Sequence, residues 1–300
     1  IGIADHHLSA DYWIARQSAA DQPLLTPAAI AAQNARMRTT DKHVYALEAL
    51  PAQLTSAYVR EWLVPLSSPP TRVLYDAQGQ VLNPERIDRI VANANIDAVP
   101  AHVPMRYGLV VHRADLRTFP TREHVFSSKG DIDIDRFQES ALFPGTPVVI
   151  AHTSTDGDWY FVVSPLYAAW IEKQYVGEGP RDVVLGYGAA ASALVVTGAT
   201  AHTVYNPEEP GLSALQLDMG VRVPVLSDWP ADKPVNGQHS YTSHVIQLPM
   251  RRHDGALELL PALLPRTADV ATDYLPYTSA NLLRQSFKFL GERYGWGHRY

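Results

Sequence analysis

Apolar and polar positions follow two different patterns along the chain, and the change falls at Arg106. Before it, apolar residues recur at helical spacing. In "NPERIDRIVANAN", Ile87, Ile90 and Val91 share one face, while Asn83 and Pro84 supply an N-cap and a first-turn proline. "TPAAIAAQNARM" repeats the device with Thr26 and Pro27. "ALPAQLTSAYVREWLVPL" predicts a further helix bounded by prolines. Residues 1–105 are therefore expected to form a helical, loop-rich segment.

After Arg106 the runs are short, β-branched and aromatic, and Pro, Gly and Asp separate them: "YGLVVHRADLRTFP", "TPVVIAHTS", "DWYFVVS". "VVIAHTSTDGDWYFVVS" predicts a hairpin with Asp156-Gly157 in a type I′ turn. Short strands continue to residue 265, past a second Asp-Gly turn at Asp254-Gly255. That density predicts two small β-barrels, over 106–175 and 176–265. "YTSANLLRQSFKFLG" then returns to helical spacing. Thr278 is placed as N-cap, Tyr277 and Leu282 as a hydrophobic staple, and Leu283, Phe287 and Leu290 as one apolar stripe. Gly291 stands where a helix end favours a left-handed residue. The expected fold class is mainly β with a helical N-terminal segment, followed by a capped helix that opens a further domain over 266–300.

Charge and composition narrow the functions. The net charge of −6, with no Lys/Arg run, argues against nucleic acid as a partner. No apolar stretch reaches the ~18 residues needed to span a bilayer. The chain contains no cysteine, which excludes disulfides, thiolate metal sites and a cysteine nucleophile within these residues. It begins at Ile1 rather than Met, so removal of an upstream segment is expected.

Several short motifs carry possible chemistry. "GYGAAA" after "DVVL" matches a dinucleotide fingerprint through Gly186, Gly188 and Ala191, but β-branched residues follow too soon for the helix it requires. A linker between barrels is the better reading. "DIDID" has the alternation of a calcium loop at Asp131, Asp133 and Asp135, yet Arg136 and Leu142 stand where that loop needs Gly and Glu. Alternating acids on the solvent side of a strand or turn are expected instead. His6 and His7, beside Asp5, would point opposite ways on an extended chain and would need metal partners from elsewhere. No G-x-S-x-G is present. No catalytic residue, metal site or cofactor is assigned.

The terminal "LLRQSFKFLGERYGWGHRY" resembles the start of the catalytic domain in NlpC-type cysteine peptidases, bacterial enzymes that cut peptidoglycan stem peptides. In that family an amphipathic helix leads to a Tyr-x-Trp-Gly run, matched by Tyr294, Gly295, Trp296 and Gly297, and Asp-Cys-Ser follows. "YGLVVHRADLRTFPT", "DIDRFQESALFPGTPVVIAHTSTDGDWYFVVSPLYAAWI" and "ADYWIARQ" with "LLTPAAIAAQNARM" are similar to the first SH3-like barrel and the N-terminal stabilising segment of one multidomain subgroup. The resemblance implies an N-terminal segment, two bacterial SH3-like barrels and the first helix of an α+β papain-like peptidase domain whose nucleophile lies beyond Tyr300. It implies cleavage of γ-D-glutamyl-diamino acid bonds, a periplasmic, envelope or secreted location, and a stem peptide, L-Ala-γ-D-Glu-diamino acid, as partner. It also implies that acidic and Tyr side chains of the first barrel recognise the free amine of the N-terminal L-Ala, with Glu139 and Tyr167 as candidates. Tyr294 and Trp296 would wall the cleft. The plainer reading makes Glu139 a surface acid and Tyr167 barrel packing, and Trp159 and Trp170 are read as core. An alternative from another class is a non-catalytic peptidoglycan- or peptide-binding module.

Overall fold

The computed structural model describes residues 2–293 together with Gly295 and Gly297. The helical elements of the first hundred residues begin where the sequence supplies caps. After α1 (Ala10–Ile14), α2 (Pro27–Thr40) starts on Thr26, whose hydroxyl accepts from Ala29 N at 3.2 Å. The run expected as one helix from 49 to 66 divides at Thr55. Strand β1 (Gln53–Thr55) comes first, and α3 (Ser56–Leu66) is then capped by the Thr55 hydroxyl at 3.3 Å, with Pro65 inside its last turn. Leu54 is buried on that strand, and β1 pairs antiparallel with β2 (His102–Pro104) through Leu54 and Val103. Helix α4 (Pro84–Asn93) is capped by the Asn83 side chain at 2.9 Å from Arg86 N.

Packing divides the chain into two compact units. One comprises residues 43–189, 249–260 and 294–300; the other comprises 1–42, 190–248 and 261–293. The first unit is built on a seven-stranded antiparallel sheet of β3 (Arg106–Val110), β4 (Ala114–Arg117), β5 (Gln138–Leu142), β6 (Pro147–Thr153), β7 (Trp159–Val163), β8 (Ala168–Glu172) and β9 (Val176–Gly179), in the order β5-β4-β8-β7-β6-β3-β9. All five residues of β7 are buried, because both faces of the sheet are covered. One face packs Val149, Phe161 and Trp170 against Leu54, Val59 and Leu63 of the preceding segment. The other packs Val148, Ile150, Tyr160 and Val162 with Leu116 and Val176. A separate cluster joins Ile90 of α4 to Phe119, Val125 and Phe137 of the long β4–β5 connection. Helix α5 (Arg181–Gly186) follows β9, so "GYGAAA" closes this unit without a strand–helix–strand frame.

The structure departs from two local patterns, at the 154–158 turn and at Asp135. In the 154–158 turn only Gly157 takes positive φ (78°), so Asp156-Gly157 is not type I′. The Asp156 carboxylate accepts from Ser154 Oγ at 2.5 Å and Asp158 N at 3.0 Å, local bonds that favour a longer turn. The "DIDID" acids also differ from expectation. Asp131 and Asp133 are exposed, but Asp135 is fully buried.

In the second unit the strands are spread over small sheets: β10 (Ala193–Val196) lies between β13 (Arg222–Pro224) and β16 (Val270–Ala271), while β11 (Thr200–His202) pairs with β12 (Gln216–Asp218). β14 (Ser243–Arg251) and β15 (Leu257–Pro265) pair as a hairpin whose turn end, 249–260, counts with the first unit. Helix α6 (Ser279–Phe287) is capped as expected, Thr278 Oγ1 accepting from Asn281 N at 3.1 Å. Its last turn tightens: Lys288, Phe289 and Leu290 each bond the carbonyl three residues back, before Gly291 at φ 95°. Within this unit α6 lies against α1, and Ala280 N donates to Ala20 O at 2.9 Å.

Candidate functional site

Glu139 owes its direction to an irregularity in the sheet. In the β4–β5 ladder Leu116 faces Ser140 and Arg117 faces Gln138, which leaves Glu139 as the extra residue of a bulge. Bulges re-aim a side chain out of the regular alternation. Both Gln138 and Glu139 can therefore serve the barrel, Gln138 buried beneath it and Glu139 at its partly open edge.

The opposite side of the site comes from the β7–β8 connection, "SPLY". Ser164 N donates to Tyr167 O at 2.8 Å and Tyr167 N to Ser164 Oγ at 3.1 Å, closing a turn with Pro165 at its second position. Tyr45 N holds that turn from the N-terminal segment through Pro165 O at 2.8 Å. The Tyr167 hydroxyl then donates to Glu139 Oε2. Thr118 Oγ1 donates to Glu139 Oε1 at 2.7 Å. Each carboxylate oxygen thus has one fixed donor and keeps lone-pair capacity for another. Burial, then the hydrogen bond and charge of Glu139, push the Tyr167 hydroxyl well above the usual phenol range, so it remains a proton donor at neutral pH.

Behind the acid lies a buried polar cluster. Arg117 Nη1 donates to Asp135 Oδ2 at 2.5 Å and to Gln138 Oε1 at 3.1 Å, and Nη2 donates to Glu123 O at 2.5 Å. Asp135 Oδ2 also accepts from His124 Nδ1 at 2.6 Å, and Oδ1 from Val125 N and Phe137 N at 3.1 and 3.0 Å. Burial would raise the Asp135 carboxyl. The hydrogen bond from His124 and the charge and hydrogen bond of Arg117 outweigh it and hold the group at about 2. Gln138 carries this order forward, since the two N–H groups on its Nε2 are shared among Asp115 Oδ1, Ser140 O and Gly297 O at 2.8–3.0 Å.

Of the sequence-derived candidates, Glu139 and Tyr167 are brought together, while Tyr294 and Trp296 lie outside the described residues. Gly297 reaches the site. A Cβ there would meet Gln138 Cγ at 2.8 Å and the Glu139 carbonyl carbon at 3.2 Å, and φ is +59°, so glycine lets the backbone approach β5. Trp159 and Trp170 are core residues. Thr118 and Gln138 had carried no signal in the sequence, because the bulge that recruits them is a pairing irregularity.

This arrangement of a long folded loop, paired short strands and a short turn of 3₁₀-helix before the last strand belongs to an SH3-like domain, and the profile described as SH3 domain (SH3b1 type) matches residues 124–172. Among six solved chains that match the fold is a novel NlpC/P60 endopeptidase from Photobacterium damselae subsp. piscicida, with a TM-score of 0.70 and 17% identity, covering 93% of this chain. This chain spans 60% of the length of that structure. No curated protein matches the sequence.

Proposed function

We propose that this chain is the N-terminal and SH3-like portion of a cell-wall cysteine endopeptidase acting on γ-D-glutamyl-diamino acid bonds of peptidoglycan stem peptides in the envelope, periplasm or outside the cell. A separate peptidase domain carries the nucleophile, since these residues include no cysteine. In this reading Glu139 and Tyr167 hold the free ammonium of the N-terminal L-Ala. The observation that carries it is the carboxylate on the β5 bulge, fixed by Tyr167 and Thr118 and bordered by Gly297. An ammonium fits there because it donates to carboxylate and phenol oxygens at once, a charge-assisted contact. Among the described residues the acid is paired with two neutral hydroxyls and no cation, which leaves its charge available for the ligand.

The test compares L-Ala-γ-D-Glu-L-Lys with its N-acetylated form by calorimetric titration of the 300-residue chain. The free amine is expected to bind, acetylation to abolish binding, and Glu139→Gln to weaken it by about tenfold or more. Equal binding of the free and acetylated peptides would sink the proposal. Retention on intact peptidoglycan, unchanged in Glu139→Gln, would favour the second reading, a wall-binding SH3-like module, which the SH3b1 match supports.

A further inference from the structure

We propose that a cleft between α4 and the β4–β5 connection is a second binding site, one that takes an extended peptide through a carboxylate side chain. It goes beyond the amine site, and neither Glu139 nor Tyr167 lines it. The cleft measures about 650 Å3, within the range of sites for small ligands. Helix α4 presents Arg86, Arg89, Ile90 and Asn93 to it, an i, i+3, i+4, i+7 face. Pro120 to Glu123 form the facing wall, and the Thr155–Asp156 turn and Trp159 the rest.

The walls are joined before any ligand arrives. Asn93 Nδ2 donates to Pro120 O at 2.8 Å and to Asp156 Oδ2 at 2.9 Å, and Asn93 Oδ1 accepts from Asp156 N at 3.1 Å. Thr155 N donates to Asn93 O at 2.9 Å. One side chain therefore ties the helix to both loops, which lowers the ordering cost of binding.

The chemistry follows from which polar atoms remain unused. Asp156 is engaged by Ser154, Asp158 and Asn93, and Glu123 by Arg86 Nε at 2.6 Å. The guanidinium groups are used only in part. Arg86 directs Nε and Nη1 to Glu123 and Asp76, leaving Nη2; Arg122 directs Nε and Nη2 to Glu172, leaving Nη1. Arg89 is exposed and has no hydrogen-bond or ion-pair partner among the described residues. The unused capacity is mostly in forked cationic donors, which match a carboxylate. A sugar ring is a poorer fit. Trp159 is 3% exposed and the Arg122 guanidinium already sits 5.9 Å above its ring, so no bare aromatic face is presented. Exposed Ala92 and the alkyl stem of Arg89 offer the small apolar surfaces that a peptide backbone and its side chains cover.

The experiment is an NMR titration of the ¹⁵N-labelled 300-residue chain with Ac-Ala-Glu-Ala-NH2, whose blocked amine keeps it out of the Glu139 site. Saturable amide shifts are expected at residues 121–123 and 155–156, with binding about fivefold or more weaker for Ac-Ala-Gln-Ala-NH2 and for Arg89→Ala. Absent shifts at those residues, or equal binding of the Glu and Gln peptides, would overturn the proposal. So would saturable shifts from chitotriose in place of the acidic peptide. Failure here leaves the amine site untouched, because Glu139→Gln is expected to change nothing in this titration.

Discussion

Asp135→Asn is expected to destabilise the SH3-like unit by about 3–5 kcal/mol at pH 7, the usual cost of leaving one member of a buried ion pair uncompensated. Arg117 is 2% exposed and Asp135 fully buried, so water cannot replace the lost partner. The variant should also change the shape of the acid limb. A carboxyl held at about 2 in the folded protein, against roughly 3.9 when unfolded, contributes stability that is complete above pH 4 and disappears as pH falls through 2. The linked contribution is roughly 2–3 kcal/mol. Urea unfolding at a series of pH values should therefore show the parent protein losing stability between pH 4 and 2, and Asp135→Asn starting lower with a flatter limb. A variant within about 1 kcal/mol of the parent at pH 7 would mean that the pair is worth little more than a surface bridge.

Trp170→Ala is expected to be comparably costly, about 3–5 kcal/mol for a large aromatic removed from a packed core. Trp170 is fully buried, stands edge-on to Phe161 with centroids 5.5 Å apart, and packs with Leu63 of α3. Its effect should reach the Glu139–Tyr167 pair, the proposed amine site. Trp170 Nε1 donates to Ser67 Oγ at 3.0 Å, and Ser67 Oγ donates to Thr118 O at 2.7 Å, so the residue that fixes Glu139 Oε1 is itself held through the indole. Trp170→Phe keeps the ring contact and removes the N–H. A loss of about 1–2 kcal/mol is expected from it, together with weaker binding of the amine-bearing tripeptide. Unchanged tripeptide affinity in Trp170→Phe would show that Thr118 needs no support from the core.

The parts of the fold that were legible in the sequence are those set by local chemistry. Thr26, Asn83 and Thr278 cap their helices because a hydroxyl or amide followed by helix formers has one favourable geometry. The mainly β character after Arg106 was legible because β-branched runs broken by Gly, Pro and Asp have few other outcomes. Asp135 was misread because alternation reports which face a residue takes only in a regular strand, and residues 131–137 form none. Its partner Arg117 lies eighteen residues back, beyond any local pattern. Glu139 and Tyr167 came from resemblance to a family. What brings them together, the bulge opposite Leu116 and Arg117, leaves no compositional trace. The division of residues 1–105 at position 42 was equally hidden, since it depends on which partners each half packs against, Leu54 and Leu63 with Trp170 in one unit and α1 with α6 in the other.

The pairing of α1 with α6 sets a constraint on biosynthesis. Ala20 and Ala280 are bonded partners separated by some 260 residues of chain, and Leu24 N meets Tyr277 O across a similar gap. At bacterial or eukaryotic elongation rates the first of these segments leaves the ribosome about 13–50 s before the second exists. The strands from 106 to 179 are contiguous and can close behind it in that interval. Throughout, α1 lacks the helix it lies against in the finished unit. In this unit a segment made early must wait for one made some 260 residues later before these native bonds can form.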